Sequence, residues 1–314
     1  MQRKTVIISC LFTLVLLVTA CTVVWGMSPT ANAIPVALDS MKATILGLVE
    51  GLTEYLPVSS TGHLYLAQHL MGLGKTLQEK DAADAYAICI QAGAILAVLG
   101  LYRSRFRQMT LGIVGRDATG RRLLINTIMA FIPAAIIGVI GEKYIKDYLF
   151  GIRPITAAWL IGGIAILLIA RQRRQIAPQD GIGVEEITPK QAFLIGCSQC
   201  LAMWPGVSRS LATIVGGTIV GLSVVSAVEF SFILGLVTLG AATVFEGLKE
   251  GPIIISHFGI VTPLIGLAVA WLAAVISVKW MVGYLNRHGL AIFGYYRIVL
   301  AIVVSVLIIT GFMR

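Results

Sequence analysis

The chain has 314 residues, of which 57% are hydrophobic and only 12% charged. A soluble domain carries roughly twice that charged fraction, which excludes a water-facing globule. The formal charge of +9 does not indicate nucleic-acid binding, because the basic residues sit in short loops between apolar runs, where the positive-inside rule places them.

In chain order, Arg3 and Lys4 precede an apolar run from Val6 to about Met27, followed by "SPTANA" at 28–33. A basic start, an apolar core and a closing A-x-A pattern predict a secretory signal peptide cut after Ala33. An uncleaved signal anchor is the alternative, since the apolar core is long. A third reading takes "VTAC" at 18–21 as a lipoprotein cleavage box ending at Cys21. All three place residue 40 outside the cytoplasm. Residues 40–314 then read as a single integral membrane domain.

Apolar runs at about 85–102, 123–141, 154–170, 228–245, 260–283 and 292–312 approach the ~20 residues that cross a bilayer as a helix. They are too long and continuous for barrel strands. The expected fold class is an all-α polytopic membrane protein. The loop after the first span holds Arg103, Arg105, Arg107, Arg116, Arg121 and Arg122, which argues for the cytoplasmic side. A loop over 142–153 mixes Glu142, Lys143, Lys146, Asp147 and Arg153 and suits the outside. The loop 171–190 suits the inside again, as do Arg287 and His288, and Arg297 is expected to snorkel to the same interface. Cys197 and Cys200 form a C-x-x-C spacing, but without a thioredoxin-like context they read as small packing residues.

Two apolar stretches, 43–72 and 190–224, fit no span, because Pro, Ser and Gly break each near its middle. Each is predicted to be a re-entrant pair of half-helices, a backbone tolerated at membrane depth only where protein buries it or water lines it. The two stretches align. "GLVEGLTEYLPVSST" (47–61) lies over "GCSQCLAMWPGVSRS" (196–210) at one offset, which carries Gly47 onto Gly196, Glu50 onto Gln199, Val58 onto Val207 and Ser59 onto Ser208. Three spans follow each stretch, so the second half is inverted. Repeat one covers about 43–170 and repeat two about 190–312.

The first tip concentrates polar groups. Glu50 and Glu54 are one helical turn apart and share a face, and a carboxylate at membrane depth is a candidate functional group. Pro57 ends the half-helix. Ser59, Ser60 or Thr61 caps the next, whose N–H groups make an anion site. The second tip repeats this plan with Ser208 and Ser210 and adds Arg209, whose planar fork suits phosphate oxygens. A structural Glu–Arg clamp across the repeats is the competing reading. His63 stands one turn beyond the hydroxyls, placed for acid–base or nucleophilic work or for packing. Two acids suit a divalent cation shared with substrate phosphates. Together these residues predict an intramembrane phosphate or pyrophosphate site acting on a lipid-borne substrate.

"GLVEGLTEYLPVSSTGHL" and "QAFLIGCSQCLAMWPGVSRSLATI" closely resemble the two signatures of the bacterial undecaprenyl-diphosphatase family, also called bacitracin-resistance proteins, from about residue 40 to the C-terminus. "IQAGAILAV" (90–98), "EFSFIL" (229–234) and "YR" (296–297) extend the resemblance. It implies hydrolysis of undecaprenyl diphosphate to undecaprenyl phosphate at the periplasmic side of the inner membrane. That reaction recycles the carrier for peptidoglycan synthesis and gives bacitracin resistance. The resemblance assigns catalysis to Glu50, Glu54, Ser60, His63 and Arg209, and phosphate binding to Ser59, Thr61, Ser208, Ser210 and Arg209. It also implies Mg2+ or Ca2+, with Glu50 and Glu54 as the expected ligands. Ser60 matches the proposed nucleophile, with His63 or Glu54 assisting; His63 or a water are the other options. The implied partners are the polyprenyl diphosphate lipid, the membrane and, as one option, a second copy in a homodimer. Leu211 stands where the family often has Gly, and Val237 where many members have Pro. The competing function is a polyprenyl-phosphate or anion transporter built on the same inverted repeat; a non-catalytic lipid-binding protein is a third.

Overall fold

The computed structural model describes residues 38–73, 77–172, 177–258 and 260–313, so the proposed N-terminal signal lies outside the described residues. Everything regular among these is helical: α1 (Ser40–Thr53), α2 (Ser60–Leu70), α3 (Leu77–Leu101), α4 (Arg103–Ile113), α5 (Ala118–Leu149), α6 (Ile152–Gln172), α7 (Pro189–Gln199), α8 (Arg209–Ile219), α9 (Val224–Phe258), α10 (Val261–His288) and α11 (Ala291–Ile309). Six of them, α3, α5, α6, α9, α10 and α11, are long and apolar enough to cross a membrane. Their outer faces carry bare apolar side chains, with Val139 81% and Ile140 75% exposed. In water such a surface would drive association; facing lipid tails it needs no partner. The chain is a polytopic membrane protein.

Helix starts follow local chemistry. Asp39 caps α1 by accepting from the Lys42 N–H at 2.8 Å. Thr188 and Gln191 form a reciprocal capping box at α7, with Pro189 in the first turn, where its missing N–H costs nothing. Helix ends differ from the expectation in two places. The predicted outer loop 142–153 is instead the last turns of α5, which runs to Leu149: charged residues are good helix formers, and nothing breaks the chain before Gly151. The arginine-rich loop after the first span contains a helix of its own, α4.

Small residues set the closest helix contacts. A Cβ on Gly47 would overlap the backbone of Gly266, and one on Gly196 the backbone of Ala130. Thus α1 lies tight on α10, and α7 lies tight on α5, the packing that replaces the hydrophobic drive between helices in lipid. At one end of the bundle Arg105 ties α4 to the start of α9 through Glu229 at 2.7 Å, and to the segment before α7 through Glu185 at 2.6 Å. Partial burial acts to lower the Arg105 pKa, but the two carboxylates outweigh it and hold the guanidinium above its ordinary value.

Candidate active site

α1 and α2 meet at a turn over Glu54–Ser59, and α7 and α8 meet at a turn that opens with a 3-10 segment, Cys200–Met203. Ser59 (φ 75°) and Ser208 (φ 78°) are the two described non-glycine residues with positive φ. Such a backbone costs an L-residue about 1–3 kcal/mol and concentrates at functional sites. Each serine offsets part of that cost by capping the helix it starts: Ser59 Oγ accepts from the Gly62 N–H at 3.4 Å, and Ser208 Oγ from the Leu211 N–H at 3.3 Å.

The two tips are bonded to one another. Ser210 donates to the Leu56 carbonyl at 2.9 Å, and Ser208 lies 3.4 Å from the same oxygen. Arg209 reaches Glu54 Oε1 with Nη2 at 3.1 Å and the Ser231 carbonyl with Nη1 at 2.9 Å. Its guanidinium lies over the Tyr55 ring, 5.4 Å from the centroid. Gly235 leaves room for it, since a Cβ there would overlap Arg209. The other Glu54 oxygen, Oε2, accepts a hydrogen bond from the Ser60 hydroxyl. Glu54 is therefore held between the hydroxyl of one tip and the cation of the other.

Beside this pair sits Glu50, only 1% exposed. Neither of its carboxylate oxygens has a partner at hydrogen-bonding geometry, and the Nε of Arg209 is likewise buried without an acceptor. Buried polar atoms are nearly always paired, so two unpartnered carboxylate oxygens and an unpartnered guanidinium nitrogen in one cluster have the donor and acceptor capacity to take a polar ligand.

The sequence pattern of the family described as Bacitracin resistance protein BacA matches residues 43–303. This chain belongs to the BacA family. The chain is 44% identical to the undecaprenyl-diphosphatase of Sorangium cellulosum, over 83% of this chain and 84% of the relative. It is 40% identical to that of Acinetobacter baumannii over 85% and 95%. It is also 40% identical to undecaprenyl-diphosphatase 2 of Rhodospirillum rubrum, over 84% and 93%. Both tips lie inside the span that the BacA pattern covers, and the N-terminal segment lies outside it.

Of the candidate residues read from the sequence, Glu50, Glu54, Ser60 and Arg209 form one cluster. His63 stands aside from it: its Nδ1 is 2.6 Å from the Ser59 carbonyl and its Nε2 is 2.8 Å from the Tyr296 hydroxyl. The hydroxyls of Ser208 and Ser210 are spent on Leu56 and on each other, and Thr61 is exposed at the start of α2. Leu211, the departure from the usual Gly, packs into the main apolar core, where its side chain is 4% exposed.

Arg297 corrects an expectation. It does not snorkel to an interface but is fully buried. Its donors reach the carbonyls of Ala158 and Gly206 at 2.8 Å, Val207 at 3.1 Å, Pro57 at 3.3 Å and Trp159 at 3.4 Å. One side chain on α11 therefore grips both tips and α6, in space that Gly162 leaves open. Trp159 adds a bond from Nε1 to the Val58 carbonyl at 3.0 Å. The signal was present in the sequence, because an ionisable residue inside an apolar run is a functional candidate; its nearness to Arg287 and His288 made the interface the simpler reading.

Proposed function

We propose that this chain hydrolyses undecaprenyl diphosphate to undecaprenyl phosphate and inorganic phosphate, recycling the lipid carrier for peptidoglycan and conferring bacitracin resistance. The observation that carries this reading is Glu54, with one oxygen on the Ser60 hydroxyl and the other on Arg209. Relatives at 40–44% identity that bear the name undecaprenyl-diphosphatase support it.

In this reading Ser60 Oγ attacks the terminal phosphorus while Glu54 takes its proton. The anhydride P–O bond breaks, and undecaprenyl phosphate leaves. Water then displaces the phosphoryl group from Ser60: Glu54 returns the proton it holds to Ser60 Oγ as that oxygen leaves, takes the water's proton in its place, and gives that proton up with the released inorganic phosphate, so the carboxylate is restored. Arg209 supplies positive charge where the transferring oxygens gather negative charge, and its unpaired Nε–H is a donor still available to a phosphate oxygen. The N–H groups at the starts of α2 and α8 add to that field. Glu50 and Glu54 would hold Mg2+ or Ca2+: two unsatisfied oxygens on Glu50 fit a hard cation that takes its remaining ligands from phosphate and water. When bound, the ion neutralises phosphate charge.

The architecture proposed around this site is an inverted repeat, each half a re-entrant hairpin followed by three spans. It is supported by the shared positive φ at Ser59 and Ser208 and by the matched close contacts of Gly47 and Gly196. The arginines of 103–122 support an inner-membrane orientation with the site open to the periplasm.

Purified protein is expected to release phosphate from undecaprenyl diphosphate, and Glu54→Gln and Arg209→Ala are each expected to cut that release by at least ~100-fold. No release by wild type from any polyprenyl diphosphate would overturn the reading and send the question to a liposome flux assay.

A further inference from the structure

Among the described residues His63 is the histidine next to the reacting groups, and its position invites a role as base or nucleophile. Its contacts argue otherwise. A carbonyl oxygen only accepts, so the 2.6 Å contact to Ser59 means that Nδ1 carries the proton. In the neutral ring Nε2 is then the bare nitrogen, and it accepts from the Tyr296 hydroxyl at 2.8 Å. The ring stacks on Tyr296 with 9° between planes and meets Trp159 edge-on, with centroids 5.3 Å apart. Both nitrogens are engaged and both neighbouring rings pack against it, while the Ser60 proton already points to Glu54.

What His63 does hold is the Ser59 carbonyl, which accepts from its Nδ1–H and also from its backbone N–H at 3.3 Å. Ser59 is the positive-φ residue immediately before Ser60, so its peptide plane sets where the Ser60 hydroxyl emerges. At the second tip the residue that aligns with His63 is Ala212. That tip reaches the same φ without a histidine, but there Ser208 and Ser210 bond to Leu56 instead. The histidine is added only at the tip that carries the hydroxyl to be aimed.

We infer that Tyr296 and His63 are positioning residues: the Tyr296 hydroxyl on α11 holds the His63 ring, which clamps the Ser59 carbonyl and aims Ser60 at Glu54. Tyr296 thereby joins the machinery without touching substrate. The inference rests on the Ser60–Glu54 reading above.

The test is the pH dependence of phosphate release from undecaprenyl diphosphate by full-length wild type, Tyr296→Phe, His63→Asn, His63→Ala and Ser60→Ala. Tyr296→Phe is expected to lower kcat about tenfold, the scale of one lost hydrogen bond, with KM little changed and the midpoints of the pH profile unmoved. His63→Asn keeps an N–H in the place of Nδ1–H and has nothing to titrate. It is expected to keep about a tenth of wild-type kcat, whereas His63→Ala loses ~100-fold or more. The inference is overturned if His63→Asn falls to the level of His63→Ala, if Tyr296→Phe displaces a limb of the pH profile, or if Tyr296→Phe matches wild type. Tyr296→Phe retains the ring and its stacking, so it decides the matter even where His63→Ala does not fold. If wild type and Ser60→Ala are equally active, the Ser60 reading has failed and the positioning falls with it; if Ser60→Ala is inactive while Tyr296→Phe matches wild type, the positioning alone is overturned.

Discussion

The two tips have one backbone plan and two chemistries. Each ends a half-helix, turns, places a serine at positive φ and starts a second helix from that serine's cap. At the first tip Glu50 and Glu54 stand beside Ser60. At the second, Gln199 replaces Glu50 and Arg209 stands where Ser60 would be. The hydroxyls diverge as well. Ser60 bonds to a carboxylate, whereas Ser210 bonds to the Leu56 backbone. Similar turns thus place the carboxylates and the Ser60 hydroxyl on one side of the interface and the cation on the other. Neither half is complete alone, and the ion pair between Glu54 and Arg209 exists only where they meet.

The largest expected effect separates the hydroxyls. Ser60→Ala should reduce phosphate release at least ~1,000-fold, as loss of a nucleophile does, while Ser210→Ala should cost under ~10-fold and about 1 kcal/mol of stability. Equal losses in the same assay would erase the distinction between the tips. Glu50→Gln makes the first tip match the second at that position. Its activity is expected to fall ~10- to 100-fold, with stimulation by added Mg2+ or Ca2+ lost; a cation response equal to wild type would remove Glu50 from the ion's ligands.

A smaller effect concerns the anchor common to both tips. Arg297→Met leaves carbonyls of Pro57, Gly206 and Val207 buried without their donor. It should destabilise by about 3 kcal/mol, read as a lower thermal midpoint in detergent. An unchanged midpoint would mean that the tips hold each other without α11. Least affected should be Arg105→Ala, whose ion-pair partners Glu185 and Glu229 lie outside both tips. Arg105 and Glu229 are each 21% exposed and Glu185 is 53% exposed, so solvent screens the Glu185 pair well and the Glu229 pair in part, and the loss should stay near about 1–2 kcal/mol with hydrolysis unaltered. A strong loss of activity there would couple that end of the bundle to the site.

Much of the scaffold was legible in the sequence. Long apolar runs mark the six spans, because crossing a bilayer demands a local sum of hydropathy. The two broken stretches declare themselves through Pro, Gly and Ser at fixed places. Glu50, Glu54 and Arg209 are legible because charged groups in an apolar setting stand out, and Ser60 because it lies in a hydroxyl run just past Pro57. Less is visible where a helix simply continues: the charged end of α5 reads as a loop by its polarity, yet nothing there breaks a helix.

Composition and order alone determine that this chain is a helical membrane protein with two polar turns of like design, since hydropathy, capping and turn formation act between residues close in the chain. Only the tertiary structure decides which of those polar groups meet. His63 and Tyr296 are 233 residues apart and Arg297 and Pro57 are 240 apart. A hydrogen bond depends on angstroms and angles, and packing sets those only once the helices have come together.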